Sequence, residues 1–355
     1  MPTIKDVAEK AGVSTATVSH VINGTKKLSS ATTDKVMQAI RETGYIPNSL
    51  ASSLRSRRSL SIGVLVEDSR GLPVPEIVSG IAETLSQNGY RMLLYDLHLL
   101  EKLYNRYEQI GIYRENITSG INLLLASNVD GIIYVGMHDR HLGDMFDFHG
   151  KPLVFAYSHG NNQESFVTYS NMESAKNITK YLIRLGHKKI AVICGHPHSY
   201  PTMKRLNGFQ IACQEAGLTV PAEYIRYGNW EYESGLRETQ ALLALPEAPT
   251  AIFAMNDLMA AGCIHALSAA SLKVPEDMSL VGFDNREISR YLLPPLTTIA
   301  LPTTEIGTEA AAQIIKQIED PSLPELYKVI PCKIIERESA CAVSPEKQMM
   351  AGQER

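Results

Sequence analysis

Residues 3–23 read TIKDVAEKAGVSTATVSHVIN, and this stretch decides the fold of the amino-terminal part of the chain. Apolar residues recur at helical spacing from Ile4 to Ala11, which predicts a first helix. Gly12 then ends this helix, and Ser14 can cap a second helix whose apolar face packs against the first. Two helices joined by a glycine-containing turn form a helix-turn-helix, so this stretch predicts that motif.

A third helix and an excess of basic residues complete this region. Apolar spacing predicts the third helix from about Ser30 to Thr43, with Gly44 ending it. Residues 1–60 contain nine Lys or Arg and four Asp or Glu, a net charge of +5, whereas the rest of the chain carries −9. A small basic head on an acidic body favours nucleic acid as the partner, although an ordinary solvated helical surface would have the same composition.

The remaining composition excludes several classes of protein. With 355 residues, 44% of them apolar and 20% charged, the chain is expected to form two or three globular domains. No apolar run approaches the roughly 18 residues of a membrane span, and no secretory signal is expected. The five scattered cysteines predict neither a disulfide framework nor a zinc site, which fits a cytoplasmic protein. Because phosphate-binding, nucleophile-elbow and dinucleotide motifs are missing, neither an enzyme nor a bound cofactor or metal is expected.

Beyond residue 60, short apolar runs alternate with helical patterns. The predicted strands are Ser61–Val66, Met92–Tyr95, Gly131–Val135, Leu153–Tyr157, Ile190–Cys194, Tyr224–Tyr227, Ala251–Met255 and Ser279–Phe283. The predicted helices between them include Glu76–Asn88, Asn116–Ser127, Met172–Leu185, Lys204–Ala216, Tyr232–Leu245 and Asp257–Ala270. This alternation predicts doubly wound parallel sheets, and the number of strands favours two lobes. Ligands bind beyond the carboxyl ends of such strands, so the cleft between the lobes is the expected pocket.

Motifs of a known family run through most of the chain. In the amino-terminal region they are Ile4–Ala8, Ala11–Ser14, Ala16–Asn23, Gly44–Asn48 and Leu50–Leu54. In the body they are Ser61–Leu65, Val129–Ile133, Leu185–Ala191, Arg205–Phe209, Pro249–Phe253, Asn256–Ala260, Val281–Asn285 and Pro294–Ile299. With these motifs the chain resembles the lactose-repressor and galactose-repressor (LacI/GalR) family over about residues 1–340. The resemblance implies an all-α helix-turn-helix head and an α/β, periplasmic-binding-protein-like body of two doubly wound parallel-sheet lobes.

The resemblance also implies a domain organisation. It places the helix-turn-helix domain at 1–46, a hinge helix or linker at 47–59, an effector-binding and dimerisation domain at 60–340, and a disordered tail at 341–355. Within the third part, the first lobe is expected to contain about 60–160 and 291–322, and the second about 161–290 and 323–340. The implied protein is a repressor that binds a pseudo-palindromic DNA operator as a homodimer, because two symmetric heads read two matching half-sites. A small-molecule effector is expected to control this binding.

Individual residues receive roles in DNA binding from the same resemblance. Thr15, Ala16 and His20 match positions that contact bases, and His20 can hydrogen-bond guanine N7 or O6. In the hinge, Leu54 matches a residue that wedges into the minor groove. The further positions expected to contact DNA are Thr3, Ser14, Thr17, Ser19, Asn23 and Thr32 on the backbone, and Ala51 and Arg55 beside Leu54. The alternative for each small polar residue is a helix cap or an ordinary surface position.

In the cleft, the resemblance points to Arg205, Trp230, Asn256 and Asp284 as effector-binding residues. Tyr157 stands where many relatives have an acidic or basic residue, and it joins this set. The expected effector is a sugar or sugar derivative, because the flat aromatic ring of Trp230 can stack on the C–H face of a sugar and Asp284 can accept hydrogen bonds from hydroxyl groups. The alternatives are a purine or nucleoside, a protein corepressor, or a solute-binding protein without a gene-regulatory role. Structurally, Trp230 could instead be a core aromatic, and Arg205 with Asp284 could form an ion pair that bridges the lobes.

Two further segments stand out in the body. Residues 97–115 form a longer stretch than is usual in the family, and their role is left open. Residues 138–141 read His-Asp-Arg-His, and the histidine and aspartate side chains in this stretch are of types that can bind a metal. Because this stretch follows a predicted strand without a fixed ligand spacing, it is expected to be a surface loop that binds no metal.

Overall fold

The computed structural model of the protein describes residues 2–23, 26–45, 58–104, 106–142, 147–160, 164–324 and 326–343. The predicted hinge residues Ala51, Leu54 and Arg55 lie outside these described residues, as do residues 344–355 of the predicted tail. The chain divides into two compact units. The head comprises residues 1–61 together with 128–130, and the body comprises residues 62–127 and 131–355.

The head contains the three helices that the sequence predicts, which are α1 (Ile4–Ala11), α2 (Thr15–Asn23) and α3 (Ser30–Thr43). The Asp6 carboxylate accepts hydrogen bonds from the Thr3 N–H at 2.6 Å and the Thr3 hydroxyl at 2.9 Å, which stabilises the start of α1. Gly12 ends α1 with a φ of +66°, which glycine adopts without a steric penalty. The Ser14 hydroxyl accepts from the Thr17 N–H at 3.1 Å and caps α2, as expected.

A small apolar core joins the three helices of the head. Val7, Val18 and Val36, one from each helix, have no exposed surface, and Ala8 and Ala39 are nearly as buried. Burial of each valine is worth roughly 1.5–3 kcal/mol, so this core holds the helices together. Because Val18 faces the core, the opposite face of α2 is turned outward.

The body is an α/β structure with twelve strands and eight α-helices among the described residues. The strands are β1 (Ser61–Val66), β2 (Arg91–Asp96), β3 (Gly131–Val135), β4 (Leu153–Ala156), β5 (Ser165–Tyr169), β6 (Ile190–Cys194), β7 (Ile225–Tyr227), β8 (Ala251–Ala254), β9 (Ser279–Val281), β10 (Thr298–Ala300), β11 (Tyr327–Ile330) and β12 (Lys333–Ile335). The helices are α4 (Val74–Gln87), α5 (Leu100–Leu103), α6 (Arg114–Ala126), α7 (Asn171–Arg184), α8 (Tyr200–Glu215), α9 (Tyr232–Leu243), α10 (Asp257–Ala269) and α11 (Thr303–Glu319). Short 3₁₀ helices occur at Tyr107–Tyr113, Ala222–Tyr224 and Glu287–Arg290.

Two parallel sheets form two lobes within the body. The first lobe is built on a six-stranded sheet in the order β11-β5-β4-β3-β1-β2, and the second on a four-stranded sheet in the order β7-β6-β8-β9. Strands β1, β3 and β4 are buried along their whole length because helices cover both faces, which explains their continuous apolar sequences. Two parallel-sheet lobes confirm the predicted fold class.

Glycine residues allow helices of the body to pack closely in pairs. A β-carbon at Gly208 of α8 would collide with the carbonyl of Met172 in α7, and one at Gly235 of α9 would collide with the carbonyl of Met259 in α10. The backbones can therefore approach only because these positions lack side chains. These pairs, α7 with α8 and α9 with α10, cover the second sheet and position the residues at its carboxyl edge.

The predicted boundaries between the lobes are wrong by several residues. Strand β5 pairs with β4, so the first lobe extends to Tyr169 rather than ending near residue 160. Strand β11 pairs with β5, so residues 327–330 also belong to the first sheet, although the prediction assigned residues 323–340 to the second lobe. Strands β5, β10, β11 and β12 were absent from the predicted set. A short apolar run does not reveal which sheet it joins.

The start of the predicted tail is part of the folded body. The Cys341 N–H donates to the Ser279 hydroxyl at 3.1 Å, and the Val343 N–H donates to the Leu185 carbonyl at 2.9 Å. The expectation of disorder from residue 341 is therefore wrong for residues 341–343, because hydrogen bonds tie them to the second lobe. In the described part of the chain, no helix is both long enough and apolar enough to cross a membrane.

Candidate nucleic-acid interface and ligand cavity

One face of α2 presents the three residues predicted to contact bases. Thr15 and Ala16 are exposed at the start of the helix, and His20 is partly exposed one turn after Ala16. Val18 lies on the other side and is fully buried. The exposed face therefore brings together a hydroxyl, a methyl and an imidazole, which suit hydrogen bonds and apolar contacts with base edges in a major groove.

The residues predicted to contact the DNA backbone cluster near helix starts. Thr3 precedes α1, Ser14 precedes α2, and Thr32 lies in the first turn of α3, where its N–H donates to the Ser29 hydroxyl at 3.2 Å. Amino termini of helices attract phosphate groups through unpaired N–H groups and the helix dipole. The other members of this set lie on α2, and they are Thr17, Ser19 and Asn23.

A cavity of about 380 Å³ lies at the carboxyl ends of the strands of both lobes. All five predicted effector residues line it, so the structure brings together side chains from positions between 157 and 284. Further lining residues come from the segments after β1, β2, β3 and β9. The lining consists of Arg70, Gly71, Leu72, Pro73, Leu100, Glu101, Tyr104, Met137, His138, Tyr157, Tyr169, Arg205, Trp230, Glu231, Asn256, Leu258, Asp284 and Arg286.

Arg205 organises the floor of this cavity from α8. Its side chain is only 3% exposed and donates to the side-chain amide oxygen of Asn171 at 2.8 Å, to the Tyr169 hydroxyl at 3.1 Å and to the backbone carbonyl of Met255. A guanidinium group has five N–H donors, and three protein groups of the described residues accept hydrogen bonds from that of Arg205. Asn171 and Tyr169 follow or end β5 of the first lobe, so Arg205 connects the second lobe to the first as well as facing the cavity.

Asp284 is the acidic residue opposite Arg205. Its carboxylate lies 3.8 Å from the Arg205 guanidinium and 3.4 Å from Nε of Arg286. Burial raises the pKa of Asp284, and the two arginines act against this rise. Its N–H donates to the Ile299 carbonyl at 2.9 Å, which fixes the backbone at this point. Asp284 is thus held as a hydrogen-bond acceptor at the cavity surface, and the ion pair with Arg205 that the sequence suggested as an alternative is also present.

A second buried carboxyl group, Asp257, lies behind Asp284. It accepts hydrogen bonds from the Thr298 hydroxyl and from the Arg286 N–H, both at 2.6 Å. Burial, followed by the negative charge of Asp284, raises the pKa of Asp257 to about 8. Two carboxyl groups in one buried site cannot both ionise cheaply, so Asp257 holds a proton at neutral pH while Asp284 faces the cavity.

Trp230 forms an aromatic wall of the cavity, and Asn256 holds its backbone. The Trp230 side chain is 92% buried and packs over Gly195, and its indole N–H has no hydrogen-bond partner in the described part of the chain. The His138 ring lies edge-on at 5.7 Å. The Asn256 amide donates to the Trp230 carbonyl at 2.9 Å and accepts from the Met259 N–H at 2.8 Å. Asn256 therefore lines the cavity, but both ends of its amide already bind protein groups.

Several residues that line the cavity have strained backbone conformations. Tyr157, Trp230 and Asp284 have φ values of +61°, +74° and +111°, in the left-handed region that non-glycine residues rarely adopt. Each such residue costs of the order of 1–3 kcal/mol, and such strain is typical of ligand sites. The Tyr157 hydroxyl donates to the Tyr169 hydroxyl at 3.2 Å, and the two rings stack at 5.1 Å. Because burial raises the pKa of both tyrosines, they offer neutral hydroxyl groups to a ligand.

Residues 138–141 do not form the predicted surface loop. Asp139 and Arg140 are only 2% and 5% exposed, because each is paired within the body. Asp139 accepts from the Asn171 amide at 2.6 Å, and Arg140 forms an ion pair with the fully buried Glu67. Asn171 in turn accepts from Arg205, so Asp139 supports the cavity floor indirectly. The partner Glu67 is 73 positions away, and no local pattern reveals such a pairing.

Sequence reasoning did not identify several residues that line the cavity. Arg70 follows β1, Tyr104 follows β2, and Arg286 follows β9, so each lies at the carboxyl end of a strand. That position was the available signal, because parallel strands of one sheet end at the same edge. Four other polar residues that line the cavity were also not predicted to do so, and they are Glu101, His138, Tyr169 and Glu231.

One group of described residues resembles a metal site in its residue types. Ligand atoms of Asp68, Asp96 and His98 lie within 4.8 Å of one another. The carboxylates are used in hydrogen bonds, however, since Asp68 accepts from Arg70 and the Leu100 N–H, and Asp96 accepts from backbone N–H groups. This group therefore stabilises the loops after β1 and β2.

Comparison with known proteins agrees with the fold. Residues 3–48 match the family described as bacterial regulatory proteins of the lacI family, and residues 179–340 match the periplasmic binding protein-like domain. The HTH-type transcriptional repressor PurR of Vibrio vulnificus (strain CMCP6) is 35% identical over 323 residues, which cover 90% of this chain and 93% of that protein.

Solved structures extend the similarity to almost the whole chain. The Lac repressor dimer bound to operator and the anti-inducer ONPF has a TM-score of 0.79 and 27% identity, and the match covers 96% of this chain and 99% of that one. The complex of the transcriptional regulator CelR with cellobiose has a TM-score of 0.64 and 29% identity, with coverage of 96% and 100%. The curated relative is a repressor rather than an enzyme. The chain therefore belongs to the LacI family of bacterial regulatory proteins and is a DNA-binding transcriptional repressor.

Proposed function

We propose that the protein binds a pseudo-palindromic operator as a homodimer in the bacterial cytoplasm, with α2 of each head in a major groove. The observation that supports this is the outward face of α2, where Thr15, Ala16 and His20 lie opposite the buried Val18. The net charge of +5 in residues 1–60 suits a polyanion. Among the similar structures, the Lac repressor is a dimer bound to its operator.

We further propose that a small molecule in the 380 Å³ cavity controls operator binding. A flat aromatic wall at Trp230, a fixed acceptor at Asp284 and the remaining donors of Arg205 suit a ring that carries hydroxyl groups. A sugar or sugar derivative meets these requirements. The similar regulator CelR was solved in complex with cellobiose.

The control would work through the relative arrangement of the two lobes. Tyr157 and Tyr169 come from the first lobe, whereas Arg205, Trp230 and Asp284 come from the second. A ligand that contacts both sets binds one lobe arrangement better than another and shifts the population towards it. Linkage then requires operator DNA to change effector affinity by the same factor.

The DNA-binding proposal is tested by selecting operators from random duplexes with the purified full-length protein. We expect a pseudo-palindromic sequence with one half-site per head. The variant His20→Ala should lose preference at one position of each half-site, at a cost of about 1–3 kcal/mol in that discrimination. Arg41→Ala, in the supporting helix α3, is the control and should keep the base preference. Selection of a sequence without twofold symmetry, or an unchanged preference in His20→Ala, would contradict the proposed docking.

The effector proposal is tested with the intrinsic fluorescence of Trp230, which is the only tryptophan of the chain. Titration with sugars, nucleosides and purines should give a saturable change with one class, and the same compound should alter operator affinity. Asp284→Asn keeps the volume and tolerates the left-handed backbone, and it should weaken that response. Asp147→Asn, at a residue that is 77% exposed, serves as the control.

The same titration separates the alternatives. Binding by purines alone would replace the sugar by a purine effector. If fluorescence and calorimetry are both silent with every compound, a protein corepressor becomes the better account of regulation. Ligand binding without any effect on operator affinity would favour a solute-binding role. Whether the effector induces or co-represses follows from the sign of its effect on operator affinity.

A further inference from the structure

The stretch after β2 contributes to the ligand cavity. Leu100, Glu101 and Tyr104 line it, and we call these three residues the outer wall. The Tyr104 side chain remains 66% exposed although it faces the cavity, so it can still be covered by a ligand. This segment therefore presents exposed aromatic surface at the cavity.

The outer wall is fixed rather than loosely attached. The Leu97 N–H donates to the Val66 carbonyl at 3.0 Å, and the Leu99 N–H donates to the Glu67 carbonyl at 2.9 Å. Leu99 and Leu103 are buried in the first lobe with 0% and 1% exposure. A wall that is anchored by backbone hydrogen bonds and by apolar side chains is already organised before any ligand binds, which lowers the entropic cost of binding.

An arginine joins the outer wall to the rest of the first lobe. Arg70 donates to the two carboxylate oxygens of Asp68 at 3.0 and 3.1 Å and to Glu101 at 2.8 Å. The Leu100 N–H donates to the same Asp68 carboxylate at 3.0 Å. The positive charge of Arg70 is therefore neutralised by two carboxylates at the mouth of the cavity.

The formal charges of the described lining residues cancel. Three arginines (Arg70, Arg205 and Arg286) and three carboxylates (Glu101, Glu231 and Asp284) line the cavity. Arg70 is paired with Glu101 and with Asp68 outside the lining, and Arg205 and Arg286 share Asp284 within 4.0 Å. Burial lowers the pKa of His138 well below its usual value, and nearby positive charges add to this effect, so this imidazole is neutral. A phosphate or carboxylate group entering the cavity would find no unpaired cation among these residues to offset its desolvation.

We propose that the outer wall forms a second subsite and that the effector is an uncharged molecule with two rings and several hydroxyl groups. One ring lies against Trp230 near Arg205 and Asp284, and the other lies against Tyr104. A disaccharide and a nucleoside share this chemistry. The inference rests on the proposed effector function of the cavity and specifies the class of ligand.

The test is calorimetric titration of the full-length protein with two arms of matched probes. One arm uses cellobiose, maltose, lactose and trehalose with glucose, galactose and the 6-phosphates of the disaccharides. The other uses adenosine, guanosine, cytidine and uridine with their bases and 5′-monophosphates. We expect one uncharged two-ring compound to bind at least about tenfold more tightly than its single rings and its phosphate. The arm that contains this compound identifies the source of the two rings.

Variants of the outer wall then locate the second ring. Tyr104→Ala should weaken the two-ring compound about tenfold and leave the affinity of its single ring unchanged. Glu101→Gln removes one partner of Arg70, so the phosphorylated compound should bind more tightly, by about fivefold. Ile112→Ala is the matched control, because Ile112 is 72% exposed in the same segment and does not line the cavity.

The possible results separate the two levels of the proposal. A single ring or a phosphate that binds as tightly as the two-ring compound, or a Tyr104→Ala variant without effect, overturns the outer subsite while the effector cavity stands. Binding of no two-ring compound in either arm overturns the outer subsite, and complete silence of the panel overturns the effector cavity as well.

Discussion

Replacement of Asp257 by asparagine is expected to remove a pH-dependent loss of stability from the body. The carboxyl group accepts hydrogen bonds from the Arg286 N–H and the Thr298 hydroxyl, both at 2.6 Å, and it lies beside Asp284. An amide reproduces the protonated acid at this place. Its oxygen can accept from Arg286, and its NH₂ group can donate to the Thr298 hydroxyl, which then acts as acceptor.

The size of the effect follows from the pKa of Asp257, which burial and the charge of Asp284 raise to about 8. An unfolded aspartate titrates near pH 3.9, so below about pH 4 both states are protonated and the full stability is present. Between about pH 4 and 8 only the native state keeps the proton. As the pH rises through this range, the free energy of unfolding falls by up to 1.4 kcal/mol per pH unit. Asparagine does not titrate. Between about pH 5.5 and 7.5 the variant should therefore gain about 2 kcal/mol relative to the wild type, since structural relaxation reduces the limiting value.

Urea unfolding followed by the fluorescence of Trp230 measures this difference in the unit that contains both residues. The comparison of two proteins at two pH values cancels the contribution of other titrating groups. Asp147→Asn, at an exposed position, should show the same pH dependence as the wild type. If Asp257→Asn also follows the wild type at both pH values, Asp257 is ionised in the native state and the reasoning fails.

Three other substitutions test separate parts of the protein. Arg205→Lys keeps the positive charge but loses the planar guanidinium group, so urea unfolding should show a body that is less stable by about 2–4 kcal/mol. A variant as stable as the wild type would show that the hydrogen bonds to Asn171, Tyr169 and Met255 contribute little to stability. Leu54→Ala, at a position outside the described residues, should leave folding intact and weaken specific operator binding in a gel-shift titration, and unchanged affinity would exclude the minor-groove wedge. Val18→Ala should lower the free energy of unfolding of the head by about 2 kcal/mol in thermal melting followed by circular dichroism, whereas Met37→Ala, at a residue 42% exposed, should have a much smaller effect.

The head was predictable because its decisive interactions are local. The cap at Ser14 involves Thr17, three positions away, and the bond between Thr3 and Asp6 spans the same distance. The glycine at position 12 marks the end of α1 by its own conformational preference. Interactions of this range leave a direct signature in the order of residues.

The body was predictable in its class but not in its connections. The eight predicted strands are present, and most of them are buried strands whose apolar sequences stand out. Strand β5 was not predicted as a strand, and β11 was not assigned to the first sheet because its neighbour β5 lies about 160 positions earlier in the chain. The cavity residues were found through motifs of the family, and Asn256 shows the limit of that route because its amide is bound to protein groups.

The sequence by itself determined the helix-turn-helix, the alternation of strands and helices, and the residue types that meet in the cavity. Each of these depends on the spacing or the chemistry of residues within a short window. Only the tertiary structure decided that Arg140 is buried against Glu67, that Asp257 keeps a proton beside Asp284, and that Tyr104 lines the cavity. These features depend on desolvation and on contacts between residues that are far apart in the chain, and neither is encoded in local order.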